Sequence, residues 1–160
     1  MFDIDTIKGV LVDIVKIVLA IATAVGFAAS LGGYVEYKRS LSGGSLICRA
    51  EEEKGCSALY MLPQARLLGV VHLSEAAPIY FTIMLAGVAA FLLTGSTALL
   101  YLLIALAIGG ALLVPYLVYL EWLVRTLCIW CTIMHASIIT DTVVLAILAF
   151  KVAAAPPLAT

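Results

Sequence analysis

The chain has 160 residues, of which 64% are hydrophobic and only 12% charged, with a formal net charge of −1. A soluble domain is closer to half apolar and a quarter charged, so this composition points to lipid as the solvent, and the near-neutral charge gives no footing for nucleic acid. The length allows one domain, and the four cysteines, Cys48, Cys56, Cys128 and Cys131, permit two disulfides without saying whether these are structural or reactive.

Taken in chain order, the first apolar stretch is preceded by Asp3, Asp5 and Asp13 as well as Lys8 and Lys16. A secretory leader is short and basic at its start, so the stretch reads as a retained membrane helix. Nineteen residues from Ile17 to Val35 carry no charge, enough to cross a bilayer, and the helix is expected over about 10–35. A polar segment follows over about 36–74, with Lys38, Arg39, Arg49, Glu51, Glu52, Glu53, Lys54 and Arg66 in it. The Ser-Gly-Gly-Ser run at 42–45 is a flexible turn, and a short surface helix or two turns is expected over Ser57–Leu68. From Ala76 to Leu120 forty-five residues carry no charge, too many for a single crossing. Thr94-Gly95-Ser96-Thr97 sits where a hairpin is needed, which gives a second helix near 76–93 and a third near 98–119. Pro115 falls in the last part of the third. Glu121 and Arg125 mark a short connection, and a fourth helix is expected over 126–150, closed by Lys151. The tail 152–160, with Pro156-Pro157, is expected to be disordered. The fold class is therefore all-α: an integral membrane four-helix bundle over 1–151 with a polar loop between helices one and two.

An even number of crossings puts both termini on one side and both remaining connections on the other. Cys48 and Cys56 fall in the first of those connections and Cys128 just beyond the second, so helix parity alone brings the two cysteine pairs to one face. Cys128-Ile129-Trp130-Cys131 opens a helix, where the helix dipole and Arg125, about one turn earlier, favour a thiolate. Residues three apart share a helix face, so the two sulfurs can bridge. A disulfide closing so small a loop constrains the unfolded chain little, so its natural use is reversible exchange. Three other readings remain open at this point. Zinc could be held by four cysteines, although the seven-residue charged insert between Cys48 and Cys56 is unlike a zinc knuckle. Cys48 and Cys56 could form a static bridge, and buried cysteines can be inert. Redox chemistry accounts best for all four lying at one interface.

The placement of these cysteines resembles the vitamin K epoxide reductase family in its short microbial form. Members of that family carry a cysteine pair in the loop after the first helix, here Cys48 and Cys56, and a Cys-x-x-Cys at the start of the fourth, here Cys128 and Cys131. Gly69 and then Ser74 follow Cys56 much as in the family, and the likeness runs from the first helix to the fourth. It implies a relay in which a thioredoxin-like partner passes electrons to Cys48/Cys56. Cys56 exchanges with Cys128 through a mixed disulfide, and Cys131 reduces a quinone, such as menaquinone or ubiquinone, held in the bundle. Many bacterial relatives carry a fused thioredoxin-like domain. This chain ends soon after the fourth helix, which implies a separate partner protein. The chain departs from the animal pattern at two positions. The residue before the serine, an asparagine thought to bind the quinone carbonyl in animal members, is Leu73 here, with one extra residue between Gly69 and Ser74. Four residues after the second cysteine, animal members have tyrosine where this chain has His135. Both departures weigh against vitamin K epoxide as substrate and leave quinone reduction untouched.

His135 shares a helix face with both Cys128 and Cys131 and lies about 6 Å deeper than Cys131, where it could donate to a quinone oxygen or be bonded to a neighbouring helix. Ser74, beside His72, could bond a ligand or cap the second helix. Trp130 and Leu73 complete the expected quinone contacts, with Trp130 more often an interface anchor in such a place. Asp141 lies about 220° round the helix from Cys128, which suits snorkelling or packing. No metal is expected.

The expected localisation is a cell membrane, crossed several times, with the cysteine face toward an extracytoplasmic, oxidising compartment. The basic residues run against this. Lys8, Lys16 and Lys151 would be inside and the other six on the cysteine face, so the orientation rests on the redox argument and on the resemblance. The functional expectation is an enzyme, a quinone-dependent thiol oxidase that supports disulfide formation in exported proteins. The alternatives are reduction of vitamin K epoxide or quinone as the physiological end, or a non-catalytic metal-binding or scaffold subunit with structural disulfides.

Overall fold

The computed structural model describes residues 4–42, 62–67, 71–125 and 127–154. Four long helices carry the fold: α1 (Ile4–Leu41), α2 (Leu73–Thr94), α3 (Thr97–Leu123) and α4 (Ile129–Ala154). Each is long and apolar enough to cross a membrane, so the protein is a multi-pass membrane protein of the all-α class. A 3₁₀ turn at Pro63–Ala65 and a two-stranded antiparallel ladder, β1 (Arg66–Leu67) with β2 (Val71–His72), lead into α2. Of the stretch Ser57–Leu68, where a short helix or two turns is expected, residues 57–61 and 68 lie outside the described residues; Pro63–Ala65 form a 3₁₀ turn and Arg66–Leu67 are extended, because a ladder two residues long leaves no alternating pattern to read.

The helices extend past the uncharged runs. α1 continues through Glu36, Tyr37 and Lys38 to Leu41, and Glu36 is buried rather than part of a solvated loop. α3 runs without interruption through Pro115 and past Leu120, so Glu121 belongs to the helix and not to a connection. α4 begins at Ile129 and reaches Ala154, beyond Lys151.

Short, specific caps join these elements. α2 starts at His72, whose Nδ1 accepts a hydrogen bond from the Ser74 N–H at 3.1 Å. That bond satisfies one of the donors every helix start leaves open, and histidine rather than serine is the cap. The His72 ring also stacks on Tyr37 of α1, with centroids 4.3 Å apart and planes at 11°. Lys38 of α1 and Glu75 of α2 are paired across the same end at 2.9 Å. At the far end only Gly95 and Ser96 separate α2 from α3. Gly95 has φ +64°, a left-handed conformation that a side chain would strain, and its N–H bonds the Phe91 carbonyl at 2.8 Å.

α1 packs along α4 on one side and α2 on the other, and α3 closes the ring mainly against α4. The lower half of the bundle is dry and apolar, built from Leu19, Met84, Leu100, Leu103 and Leu145. A buried polar pair crosses it. The Thr23 hydroxyl on α1 is shared between its own Leu19 carbonyl at 2.9 Å and the Asp141 carboxylate of α4 at 3.1 Å. Asp141 is 1% exposed, so it packs between helices and does not snorkel. Interhelical hydrogen bonds in membrane bundles are worth about 0.6 kcal/mol on average and up to ~1.7. Thr23→Val keeps the shape and strands the carboxylate. It is expected to destabilise the bundle by about 1–2 kcal/mol in a detergent or urea unfolding titration.

Candidate active site

The other half of the bundle, at the ends that carry the connections, is hollow. A cavity of about 250 Å³ lies between all four helices under Ala65. α1 gives it Ser30 and Gly33, and α2 gives Ala76, Ala77, Tyr80 and Phe81 after Leu73 and Ser74. From α3 come Gly110, Leu113, Leu117, Leu120 and Glu121, and from α4 Cys131, Met134, His135 and Ile138. Cys131 to Ile138 is two helical turns, so the space reaches about 10 Å along α4 from the cysteine. Most of the wall is aliphatic or aromatic. Pockets that take cofactors are built this way, with a few polar groups to fix orientation. An apolar cavity of ~150 Å³ already accepts benzene, so a single quinone ring system is of a size to enter this one.

Several local features keep the cavity open and bounded. Gly110 of α3 has no side chain where Tyr80 crosses from α2; a Cβ there would lie 2.6 Å from the Tyr80 hydroxyl. The hydroxyl faces the Leu106 carbonyl at 3.4 Å, which ties α2 to α3 below the cavity. Above it, Tyr116 donates to the Gln64 carbonyl at 2.9 Å and holds the 3₁₀ turn across the helix ends. Ala65, in that turn, is buried with Tyr37, Leu120 and Cys128.

The cysteines of the Cys-x-x-Cys both pack in the Tyr37–Ala65–Leu120 cluster, but only Cys131 also lines the cavity. Cys128 precedes the first residue of α4, and its carbonyl accepts from the Thr132 N–H at 2.9 Å and the Thr132 hydroxyl at 3.1 Å. It is 1% exposed, in the Tyr37–Ala65–Leu120 cluster on the side of the loop. Cys131, one turn on, faces the cavity. Both stand at the N-terminal end of α4. Arg125 is exposed and takes the left-handed φ of +54° just past the end of α3.

Of the other expected contacts, Leu73, Ser74 and His135 line the cavity. Trp130 is turned toward α1, where its ring lies so close to Gly32 that a Cβ would meet it at 2.7 Å. Cys48, Cys56 and Gly69 lie outside the described residues. Among the described residues, no three His, Cys, Asp or Glu side chains are grouped to hold a metal ion.

One wall residue is unanticipated. Glu121 is 3% exposed, and its carboxylate accepts a hydrogen bond from the Cys131 thiol and lies within electrostatic reach of Cys128. The sequence does contain a signal for it. Gly110, Leu113, Leu117 and Glu121 recur at spacings of three and four, so all stand on the face of α3 that lines the cavity. Reading an acidic residue as the edge of the membrane conceals that register.

A scan against protein-family models matches the vitamin K epoxide reductase family over residues 17–147. The chain belongs to that family. The match runs from the middle of α1 nearly to the end of α4 and takes in the cavity and all four cysteines. Membership makes the protein an oxidoreductase, of the vitamin K epoxide or quinone-linked disulfide kind. The searches of curated proteins and of solved structures give no match to the chain.

Proposed function

We propose that this vitamin K epoxide reductase family member is a quinone-dependent thiol–disulfide oxidoreductase that oxidises a thioredoxin-like partner and so supports disulfide formation in exported proteins. The observation that carries the reading is the asymmetry of the two helix cysteines. Cys131 opens on an apolar cavity of ring size, while Cys128 is held against the end of the loop segment at Ala65. A relay that ends on a lipid-soluble acceptor needs an apolar pocket at one sulfur, and one that starts from the loop pair needs its other sulfur beside the loop segment.

The relay runs in three balanced exchanges. The partner's dithiol reduces the Cys48–Cys56 disulfide and becomes a disulfide itself. The Cys56 thiolate attacks the Cys128 sulfur of a Cys128–Cys131 disulfide and releases Cys131 as a thiolate. Cys48 then resolves the mixed bond, which leaves Cys128 and Cys131 reduced. Finally the Cys128–Cys131 dithiol gives two electrons and two protons to a quinone such as menaquinone or ubiquinone and closes again as a disulfide. Leu62, six residues beyond Cys56, packs in the Cys128 cluster. Six residues of extended chain span at most about 20 Å, so the chain length permits Cys56 to reach Cys128. Leu73, Ser74 and His135 fit the quinone end, with Ser74 and His135 as hydrogen-bonding groups beside the ring. Trp130 shapes the site from behind by fixing α4 on α1.

The cysteine face is assigned to the extracytoplasmic side of the cell membrane, because disulfide exchange with exported proteins requires an oxidising compartment. The test is reconstitution. Protein in liposomes with a soluble quinone is expected to oxidise a reduced thioredoxin-like carrier and to form one hydroquinone per carrier disulfide. Carrier oxidation that proceeds equally without quinone overturns the reading. Stoichiometric zinc in the purified protein, with no turnover, favours a structural role for the cysteines.

A further inference from the structure

The mechanism above moves two protons with its two electrons, and the relay cysteines alone do not say how they leave. Glu121 offers a route. It projects from the last turn of α3 into the cavity wall and is 3% exposed. The Cys131 thiol donates to its carboxylate, and Oε1 of the same group is buried with no hydrogen-bond partner among the described residues. A carboxylate oxygen buried without a partner is costly, and more so inside a bilayer, where such groups as a rule serve a function. Leu117, one turn earlier on the same face, meets the cavity with an ordinary aliphatic side chain.

We propose that Glu121 is the catalytic proton carrier between the Cys128–Cys131 pair and the electron acceptor in the cavity. The inference rests on the quinone reading given above. Glu121 takes the proton from the Cys131 thiol as that sulfur becomes nucleophilic, and passes it to the acceptor oxygen that its vacant Oε1 can face. When Cys128 closes the disulfide on Cys131, Glu121, again unprotonated, takes the Cys128 proton and delivers it in turn. The sum is two thiols and one quinone converted to one disulfide and one hydroquinone, with no proton drawn from water. The other titratable groups lining this space are His135 and Cys131 of α4, His72 ahead of α2, and Tyr80 of α2, with Cys128 just before α4 in the adjoining cluster. α1 contributes only Ser30 and Gly33 to the wall. His135 stands a turn deeper than Cys131, and His72 is committed through Nδ1 to the cap of α2. Glu121 is bonded to the reacting thiol.

Two measurements test this. In the first, pre-reduced protein in liposomes is mixed with a soluble quinone and a single turnover is followed. Positioned acid–base groups contribute about 10²–10⁴-fold, so Glu121→Gln is expected to slow hydroquinone formation by roughly 10²-fold or more. Glu121→Asp is expected to recover part of the rate, and the solvent isotope effect to rise in the Gln variant. Thermal stability of Glu121→Gln should equal or exceed that of the unaltered protein, because a buried charge has been removed. A Gln variant within about threefold of the unaltered rate, an effect far below the range for acid–base catalysis, overturns the proposal. The second measurement uses no quinone. Infrared difference spectra of the protein reduced by dithiothreitol against the oxidised protein should show a carboxyl band that is lost in Glu121→Gln and moved in Glu121→Asp. Unaltered protein that reduces no quinone yet shows this band refutes the acceptor and leaves the proton coupling standing. Absence of the band in unaltered protein overturns the role of Glu121 whatever the acceptor is. Should the Gln variant fail to assemble, the band and its displacement in Glu121→Asp decide the matter.

Discussion

Replacing Cys131 with serine is expected to bring quinone reduction down by roughly 10³-fold or more, to the uncatalysed rate, without unfolding the bundle. Serine matches the thiol in shape, so the half-buried site on α4 should not collapse, but a hydroxyl cannot supply the electron pair that a thiolate gives. The loss has a companion signature. With Cys131 gone there is no helix disulfide for Cys56 to attack. Instead the Cys128 thiolate attacks Cys56 of the oxidised loop pair and releases the Cys48 thiolate. With no Cys131 thiolate to displace Cys128, the Cys56–Cys128 mixed disulfide should accumulate. Peptide mapping under non-reducing conditions reads it directly. Cys128→Ser should differ, because it leaves the cavity-facing thiol in place and removes its bridging partner, so no mixed disulfide forms. Quinone reduction that persists within tenfold in Cys131→Ser would show that the acceptor meets another sulfur, and would sink the assignment of the cavity as its site.

The second large effect concerns the cavity itself. Ala77 lies on its wall, one turn from Tyr80 and Phe81, and is half-buried. Ala77→Phe places a ring in a space of about 250 Å³ that would otherwise admit the acceptor. A misfit of even one methylene in an apolar pocket is worth about 1–3 kcal/mol, so the quinone KM is expected to rise at least about tenfold. Reduction of the protein's disulfides by dithiothreitol, which comes from the loop side, should keep its rate. That split between the two half-reactions separates a filled pocket from a damaged fold. An unchanged KM would place the acceptor elsewhere.

How much of this was legible in the sequence depended on the size of the signal. Uncharged runs of nineteen and forty-five residues are long compared with a bilayer, so the first three helices followed from length alone, and the fourth from the apolar stretch after Arg125 that only Asp141 interrupts before Lys151. Parity then brought the connections to one end, where the pairing of Lys38 with Glu75 and the burial of Cys128 beside Tyr37 and Ala65 now stand. Features that depend on which way a side chain turns were harder to see. Glu121 was hidden because an acidic residue after a long apolar run is usually the edge of the membrane, whereas here α3 continues and turns it inward. His72 was hidden because histidine is an unusual helix cap, and its ring finds Tyr37 only once α1 and α2 are side by side. The approach of Trp130 to Gly32 joins residues almost a hundred positions apart, and no local pattern announces it.

That last contact, taken with the Thr23–Asp141 bond, bears on what moves during a catalytic cycle. α4 is pinned to α1 at two levels, at Gly32 beside the cysteine turn and at Thr23 three turns of α4 deeper. Two pins on antiparallel rods forbid both sliding and rotation of one rod on the other. In the proposed relay, Cys131 therefore keeps its place on the cavity wall, next along α4 to Trp130 at the upper pin, as a fixed terminal for the acceptor.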